Sequence, residues 1–243
     1  MFFHTHVYYA KKVDKNLDAL KVIGSIIPDL AGTSIITWDH LHKKKDILNF
    51  SSYVKKSYPD FASLLKGINY HNTVDYLSHL RYKNSTPGYA YASSTVELIT
   101  LTQKAYRVTP ERARISAHNN IECGVDYHIL NDHPELSKLI KDSIKKIDME
   151  GLAKLMAQYY KRSEREVLDS LNIFFSVATD YDFRTIDGLV ELLVALNKMY
   201  LKTDSDKKLT RKVLELSFRI TEDTYREFIE TSIAVRNTEI KDC

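Results

Sequence analysis

The 243-residue chain carries 35 basic and 32 acidic side chains, so its formal net charge is only +3, and this balance gives no support to a nucleic-acid-binding protein. Hydrophobic residues make up 44% and charged residues 28% of the chain, which is typical of an ordinary globular protein. With seven glycines and five prolines, the chain lacks the turn residues that an all-β protein needs, and long helices are favoured.

Apolar periodicity and helix start and stop signals predict four helices in the first 133 residues. Thr109 and Pro110 form the clearest start signal, because threonine caps a helix and proline is favoured at its first position. Pro28 discourages continuation of the first helix. The polar stretch 32–50 is predicted as a loop with short helical pieces, and 85–92 as a loop. The four helices are predicted at residues 16–27, 59–81, 93–107 and 109–130.

Four further helices are predicted after residue 133, with regular apolar faces and no cluster of reactive side chains. They cover residues 149–161, 163–178, 186–201 and 209–236, the last with a break near Thr221. We therefore expect one all-α domain over residues 1–243, in which 1–133 contribute the functional site and 134–243 form a helical scaffold.

The sequence also bears on the compartment of the protein. The first residues, Met-Phe-Phe-His-Thr-His, lack the basic segment, apolar stretch and cleavage site of a secretory signal. No window approaches the roughly 18 uninterrupted apolar residues of a membrane-spanning helix. Cys123 and Cys243 are too few for a disulfide scaffold, so reduced thiols are expected. These features predict a cytoplasmic protein, one that still allows transient contact with a membrane surface.

All nine histidines lie in the first 133 residues, and several are at helical spacing from a carboxylate. Neutral imidazole and carboxylate are ligands that Zn²⁺ and similar divalent ions prefer, and residues four apart share one helix face. A single His-x3-Asp pair is commonly a surface or capping interaction, but two triplets together favour a metal site. The triplets are His71-x3-Asp75-x3-His79 and His118-x3-Glu122-x3-Asp126.

Each triplet would extend roughly 12 Å along its helix, which is too far for one ion but suits two ions a few ångströms apart. Two-metal sites suit phosphoester hydrolysis, because one ion can activate water while both stabilise charge on the phosphoryl oxygens. The triplets therefore predict a multinuclear metal site. His128 and His133 fall outside the pattern and are interpreted as structural.

Four segments, in matching order over residues 5–130, resemble motifs of the zinc-dependent phospholipase C family, including the catalytic domain of glycosylphosphatidylinositol-specific phospholipase D. No motif is recognised in residues 134–243. The segments are Thr5-His6-Val7, Gly24-Ser25-Ile26-Ile27-Pro28-Asp29, Gly67-Ile68-x2-His71-x3-Asp75-x3-His79 and Ala117-His118-x3-Glu122-x3-Asp126.

This resemblance implies an all-α fold of the phospholipase C and single-strand nuclease type, with two or three Zn²⁺ ions, or other divalent metals, in a cleft. It also implies hydrolysis of a phosphodiester, typically a phospholipid. Asp29 would act as general base in addition to binding metal, and Asp126 would be either a ligand or a residue that orients a histidine. The implied metal ligands are His6, Asp29, His40, His71, Asp75, His79, His118, Glu122 and Asp126.

Other functions remain open at this point. The chain could be a helical metal-binding or partner-binding protein without turnover, with its C-terminal helices as an oligomer interface, or a purely structural helical protein. A nuclease of the same fold is also open, with Tyr89 and Tyr91 available to stack on bases. An HD-domain phosphohydrolase is disfavoured, since its adjacent His-Asp pair is missing and only the reversed order occurs.

Overall fold

Helices make up the regular structure of the chain in a computed structural model that describes residues 3–83 and 86–235. No β-strand occurs among these residues, which confirms the all-α prediction. No helix of the described part is long and apolar enough to cross a membrane. The α-helices are α1 (Phe3–Val13), α2 (Ala19–Gly24), α3 (Trp38–His42), α4 (Lys44–Ser57), α5 (Ala62–Asp75), α6 (Tyr89–Ala92), α7 (Val96–Tyr106), α8 (Pro110–Asp132), α9 (Glu135–Lys146), α10 (Met149–Tyr160), α11 (Glu164–Asp180), α12 (Ile186–Leu196), α13 (Lys207–Thr221) and α14 (Tyr225–Val235).

Where capping chemistry is strong, the predicted helices are confirmed. α8 begins at Pro110, and the side chain of Thr109 accepts a hydrogen bond from the backbone N–H of Arg112. α7 begins after Thr95, whose side chain accepts a hydrogen bond from the backbone N–H of Leu98. The predicted break near Thr221 separates α13 from α14; the predicted end of that helix, residue 236, lies outside the described residues.

Four helices were missed, namely α1, α4, α6 and α9, and α6 lies within the segment 85–92 that was predicted as a loop. The loop predicted for 32–50 is wrong from residue 44 onward, because α4 turns the apolar side chains of Phe50 and Val54 into the core despite its lysine-rich start. In α1, Phe3, Val7 and Ala10 are likewise buried. In each case a few apolar residues at helical spacing gain enough from burial to offset a polar local sequence.

The described residues form two compact units, and the boundaries fall within α1, α5 and α9 and at the end of α11. The first unit comprises residues 3–5, 73–83, 86–135 and 181–235. The second unit comprises residues 6–72 and 136–180. The roles predicted for 1–133 and 134–243 stay a prediction.

In the first unit, α8 packs against α7 and α13 and is buried on most of its surface. Tyr106 of α7 donates a hydrogen bond to the side-chain oxygen of Asn120 at 2.7 Å, and the Asn120 amide donates to Thr102 at 3.1 Å. Gly124 lets α13 approach closely, because a Cβ there would lie 3.0 Å from the carbonyl oxygen of Ser217. This packing holds the polar face of α8 in a defined position.

In the second unit, α2 and α5 cross at two glycines. A Cβ on Gly67 would lie 2.2 Å from the carbonyl oxygen of Lys21, and one on Gly24 would lie 2.2 Å from that of Leu64. Since both atoms met are backbone atoms, no side-chain rotation could relieve the clash. The crossing therefore sets the position of α5 relative to the residues that follow Gly24.

Candidate metal-binding groups

In the first unit, His79, His118 and Glu122 each offer one ligand atom, and these atoms lie within 4.8 Å of one another. His118 and Glu122 occupy successive turns of α8 and are buried. Nε2 of His79 lies 2.7 Å from Oε1 of Glu122, which also accepts a hydrogen bond from the Ser78 hydroxyl at 2.7 Å. We call these three residues the 79/118/122 group.

His79 reaches this group through a change of helix type. The chain leaves α5 as a π-helix over Tyr76–Leu80, a geometry that is frequent at functional sites. The backbone N–H of Gly88 donates a hydrogen bond to the carbonyl of His79 at 3.1 Å. A Cβ on Gly88 would lie 2.6 Å from the backbone of His79, so glycine is required for this close approach.

The pKa values of the two histidines are shifted in opposite directions. Burial lowers the pKa of His118 to about 4, so this imidazole is neutral near pH 7, as a metal ligand must be. Its Nδ1 is buried and has no hydrogen-bond partner among the described residues. Burial also opposes the charged form of His79, but the carboxylates of Glu122 and Asp75 outweigh it and raise the pKa of His79. In the metal-free protein, these two carboxylates therefore favour the protonated form of His79.

The other two carboxylates of the predicted triplets have different surroundings. Oδ2 of Asp75 faces Nδ1 of His79 at 3.6 Å, on the ring side opposite Glu122. Asp126 accepts hydrogen bonds from the backbone N–H and the hydroxyl of Thr5, at 2.6 and 2.8 Å, and from Nδ1 of His4 at 2.9 Å. Of the two roles that the sequence left open for Asp126, this geometry matches a residue that orients a histidine. His4 was not among the predicted ligands.

In the second unit, His6, Asp29 and His71 also bring ligand atoms within 4.8 Å of one another. Oδ2 of Asp29 lies 4.0 Å from Nε2 of His6, and Oδ1 of Asp29 lies 4.0 Å from Nε2 of His71. The two imidazole rings are stacked, with centroids 3.8 Å apart. Both histidines are fully buried, and the Asp29 side chain is 23% exposed. We call these residues the 6/29/71 group.

Local structure fixes the orientation of His71 in this group. Nδ1 of His71 donates a hydrogen bond to the carbonyl of Ser25 at 3.0 Å, so in the neutral ring Nε2 carries the lone pair and faces Asp29. Ser25 follows Gly24, and His71 lies one turn after Gly67, so the glycine crossing sets this contact. Asp29 lies in the first turn of a 3₁₀-helix, Ile27–Thr33, rather than at the end of an α-helix.

His42 of α3 lies beside His71, although it is not among the predicted metal ligands. Nε2 of His42 lies 3.2 Å from Nε2 of His71, and its Nδ1 donates to the carbonyl of Trp38 at 2.7 Å. His40 instead accepts a hydrogen bond from the backbone N–H of Thr37 and stacks on Tyr160. Residues two apart on a helix are rotated by about 200°, so only one of the two histidines can face His71.

The two histidines interpreted as structural lie outside both groups. Nε2 of His128 donates a hydrogen bond to the carbonyl of Phe218 at 3.0 Å, and its ring stacks on Tyr225. His133 ends α8 and lies 3.7 Å from Glu135. The predicted triplet 71/75/79 is divided, with His71 in the second unit and the other two residues in the first.

Each group has the donors of a divalent-metal site, two imidazoles and one carboxylate. Ligand atoms about 2.1 Å from a tetrahedral Zn²⁺ are about 3.4 Å apart. Nε2 of His79 and Oε1 of Glu122 lie 2.7 Å apart, and Nε2 of His6 and Oδ2 of Asp29 lie 4.0 Å apart. Each pair would therefore reach this spacing with a shift of less than about 1 Å. A single centre of two or three ions stays a prediction, as do the roles of His40 and Asp75. Comparisons of the chain with protein-family models, with curated proteins and with solved structures found no match.

Proposed function

We propose that the protein is a metal-dependent hydrolase of phosphodiesters, similar to zinc-dependent phospholipase C. The observation that carries the proposal is the pair of three-residue groups, each with two histidines and one carboxylate whose ligand atoms lie within 4.8 Å of one another. Two imidazoles and one carboxylate are donors that a divalent cation prefers, and in each group the carboxylate would offset part of its charge.

The chemistry follows from the donor sets. A bound divalent ion would polarise a phosphoryl oxygen and lower the pKa of water. In the first unit, His79, His118 and Glu122 would hold one ion, with Asp75 orienting His79 from its Nδ1 side. In the second unit, His6, His71 and Asp29 would hold another. Since Asp29 is the most exposed of the second set, its carboxylate is also the proposed base that removes a proton from the attacking water.

The proposal is tested first by metal content and then by turnover. The protein is stripped with chelator, loaded with Zn²⁺, and its bound metal is measured. Hydrolysis of bis-p-nitrophenyl phosphate and of phospholipid vesicles is then assayed. We expect at least two bound ions and chelator-sensitive hydrolysis, with transient contact to the vesicle surface for the lipid substrate.

Matched variants assign the two groups. His118→Ala should lose one ion and His71→Ala another, and both should lose activity. His133→Ala is the control, because this histidine lies outside both groups. Bound metal without turnover on any diester would favour the non-catalytic binding protein, and activity confined to single-stranded nucleic acid would favour the nuclease. A protein that takes up no metal would refute all three.

A further inference from the structure

Tyr91 is an exposed aromatic residue beside the 79/118/122 group. Its ring stacks on that of His118, with centroids 4.2 Å apart and an interplanar angle of 28°, and lies 6.1 Å from the ring of His79. Tyr91 is 36% exposed, whereas His118 is 7% and Glu122 4% exposed. A molecule that reaches these ligands from solvent therefore encounters Tyr91 beside them.

The backbone that carries Tyr91 is held firmly. Its neighbour Tyr89 is buried, stacks on Phe228 with centroids 4.4 Å apart, and shares a hydrogen bond with the Thr224 hydroxyl at 2.7 Å. At the start of α6, Gly88 is bonded to the carbonyl of His79. Tyr91 thus directly follows residues that are held by packing and hydrogen bonds, as suits a residue that orients a ligand.

The hydroxyls of Tyr91 and Tyr89 differ in their hydrogen bonds. The Tyr89 hydroxyl is hydrogen-bonded to the Thr224 hydroxyl, whereas no hydrogen bond joins the Tyr91 hydroxyl to any other described residue. A phenol has a pKa of about 10, so the Tyr91 hydroxyl keeps its proton near pH 7 and can donate a hydrogen bond.

We infer that Tyr91 is a substrate-binding residue whose hydroxyl donates a hydrogen bond to a non-bridging oxygen of a phosphate group bound at the 79/118/122 group. The inference rests on the proposed function for its ligand class, a phosphoryl anion. The ion would neutralise one side of that anion, and the neutral phenol would bind it from the solvent side. A donor to a charged oxygen contributes more than one to a neutral oxygen.

The test uses zinc-loaded protein freed of excess metal, with inorganic phosphate as the probe in calorimetric titration. Tyr91→Phe keeps the stacked ring and removes only the hydroxyl, so zinc content should be unchanged while the phosphate Kd rises about tenfold or more. Tyr200→Phe is the control, because Tyr200 is similarly exposed (37%) but lies outside the group, and its phosphate Kd should equal that of the wild type.

A wild-type phosphate Kd in Tyr91→Phe would overturn the inference, as would zinc-loaded wild-type protein that binds no phosphate. If the wild type binds phosphate and Tyr91→Phe weakens it, while no diester is hydrolysed, the inference stands and the proposed function fails. A protein without zinc uptake overturns both.

Discussion

Gly67→Ala provides a sharp test of how the fold positions the 6/29/71 group. The new Cβ would lie 2.2 Å from the carbonyl oxygen of Lys21 and 2.7 Å from Cα of Gly24, where ordinary contacts begin at 3.4 Å. Because both partners are backbone atoms, α2 and α5 must separate by about 1 Å. That shift lengthens the bond from His71 to the Ser25 carbonyl from 3.0 Å to about 4 Å, which is no longer a hydrogen bond.

Two effects of opposite sign set the stability of this variant. Overpacking of a rigid contact costs about 1–3 kcal/mol, and replacing glycine by alanine inside a helix returns up to about 1 kcal/mol. We expect a net loss of about 1–2 kcal/mol in the free energy of unfolding. Zinc affinity of the second unit should fall about 10- to 100-fold, because His71 loses the bond that fixes its tautomer.

The assays are urea unfolding and competitive zinc titration. Gly32→Ala is the matched control, since no atom lies within 4 Å of the Cβ it would add, and it should leave both quantities unchanged. Wild-type stability together with wild-type zinc affinity in Gly67→Ala would refute the reasoning. Lost stability with intact affinity would show that the Ser25 bond does not matter for metal binding.

Three further predictions concern the histidines and Asp126. Zinc affinity of the first unit should fall as the pH drops below the raised pKa of His79, because the metal must displace its proton. In the metal-free protein, the charged pair of His79 and Glu122 stabilises the fold below the usual histidine pKa of 6.5, and this stabilisation is lost as the pH rises through the raised pKa of the folded state. Zinc affinity and unfolding free energy should therefore change in opposite directions with pH, and parallel changes would contradict the assignment. Asp126→Ala strands the buried donors of Thr5 and should cost about 2–4 kcal/mol in urea unfolding, whereas Asp126→Asn keeps an acceptor and should cost less; equal stability of all three proteins would count against this role. His42→Ala should weaken zinc binding by the second unit, while His40→Ala should not, and the reverse order in competitive titration would restore His40 as the ligand.

Several helix boundaries can be predicted from interactions between residues that are neighbours in the sequence. Thr109 and Pro110 start α8 in the sequence and in the structure, because capping is a contact among neighbours in the chain. By contrast, the loop predicted for 32–50 overlaps the first half of α4, because the lysine-rich start of that helix is polar and the burial of Phe50 and Val54 depends on other elements.

Residues within a few positions of each other are enough to predict that the protein is all-helical and that His118 and Glu122 share one face of a helix. They could not predict that a π-helix brings His79 to Glu122, that His42 rather than His40 faces His71, or that Asp126 binds His4 and Thr5. These contacts join residues distant in the chain, and their geometry is set by close helix packing rather than by spacing along the sequence.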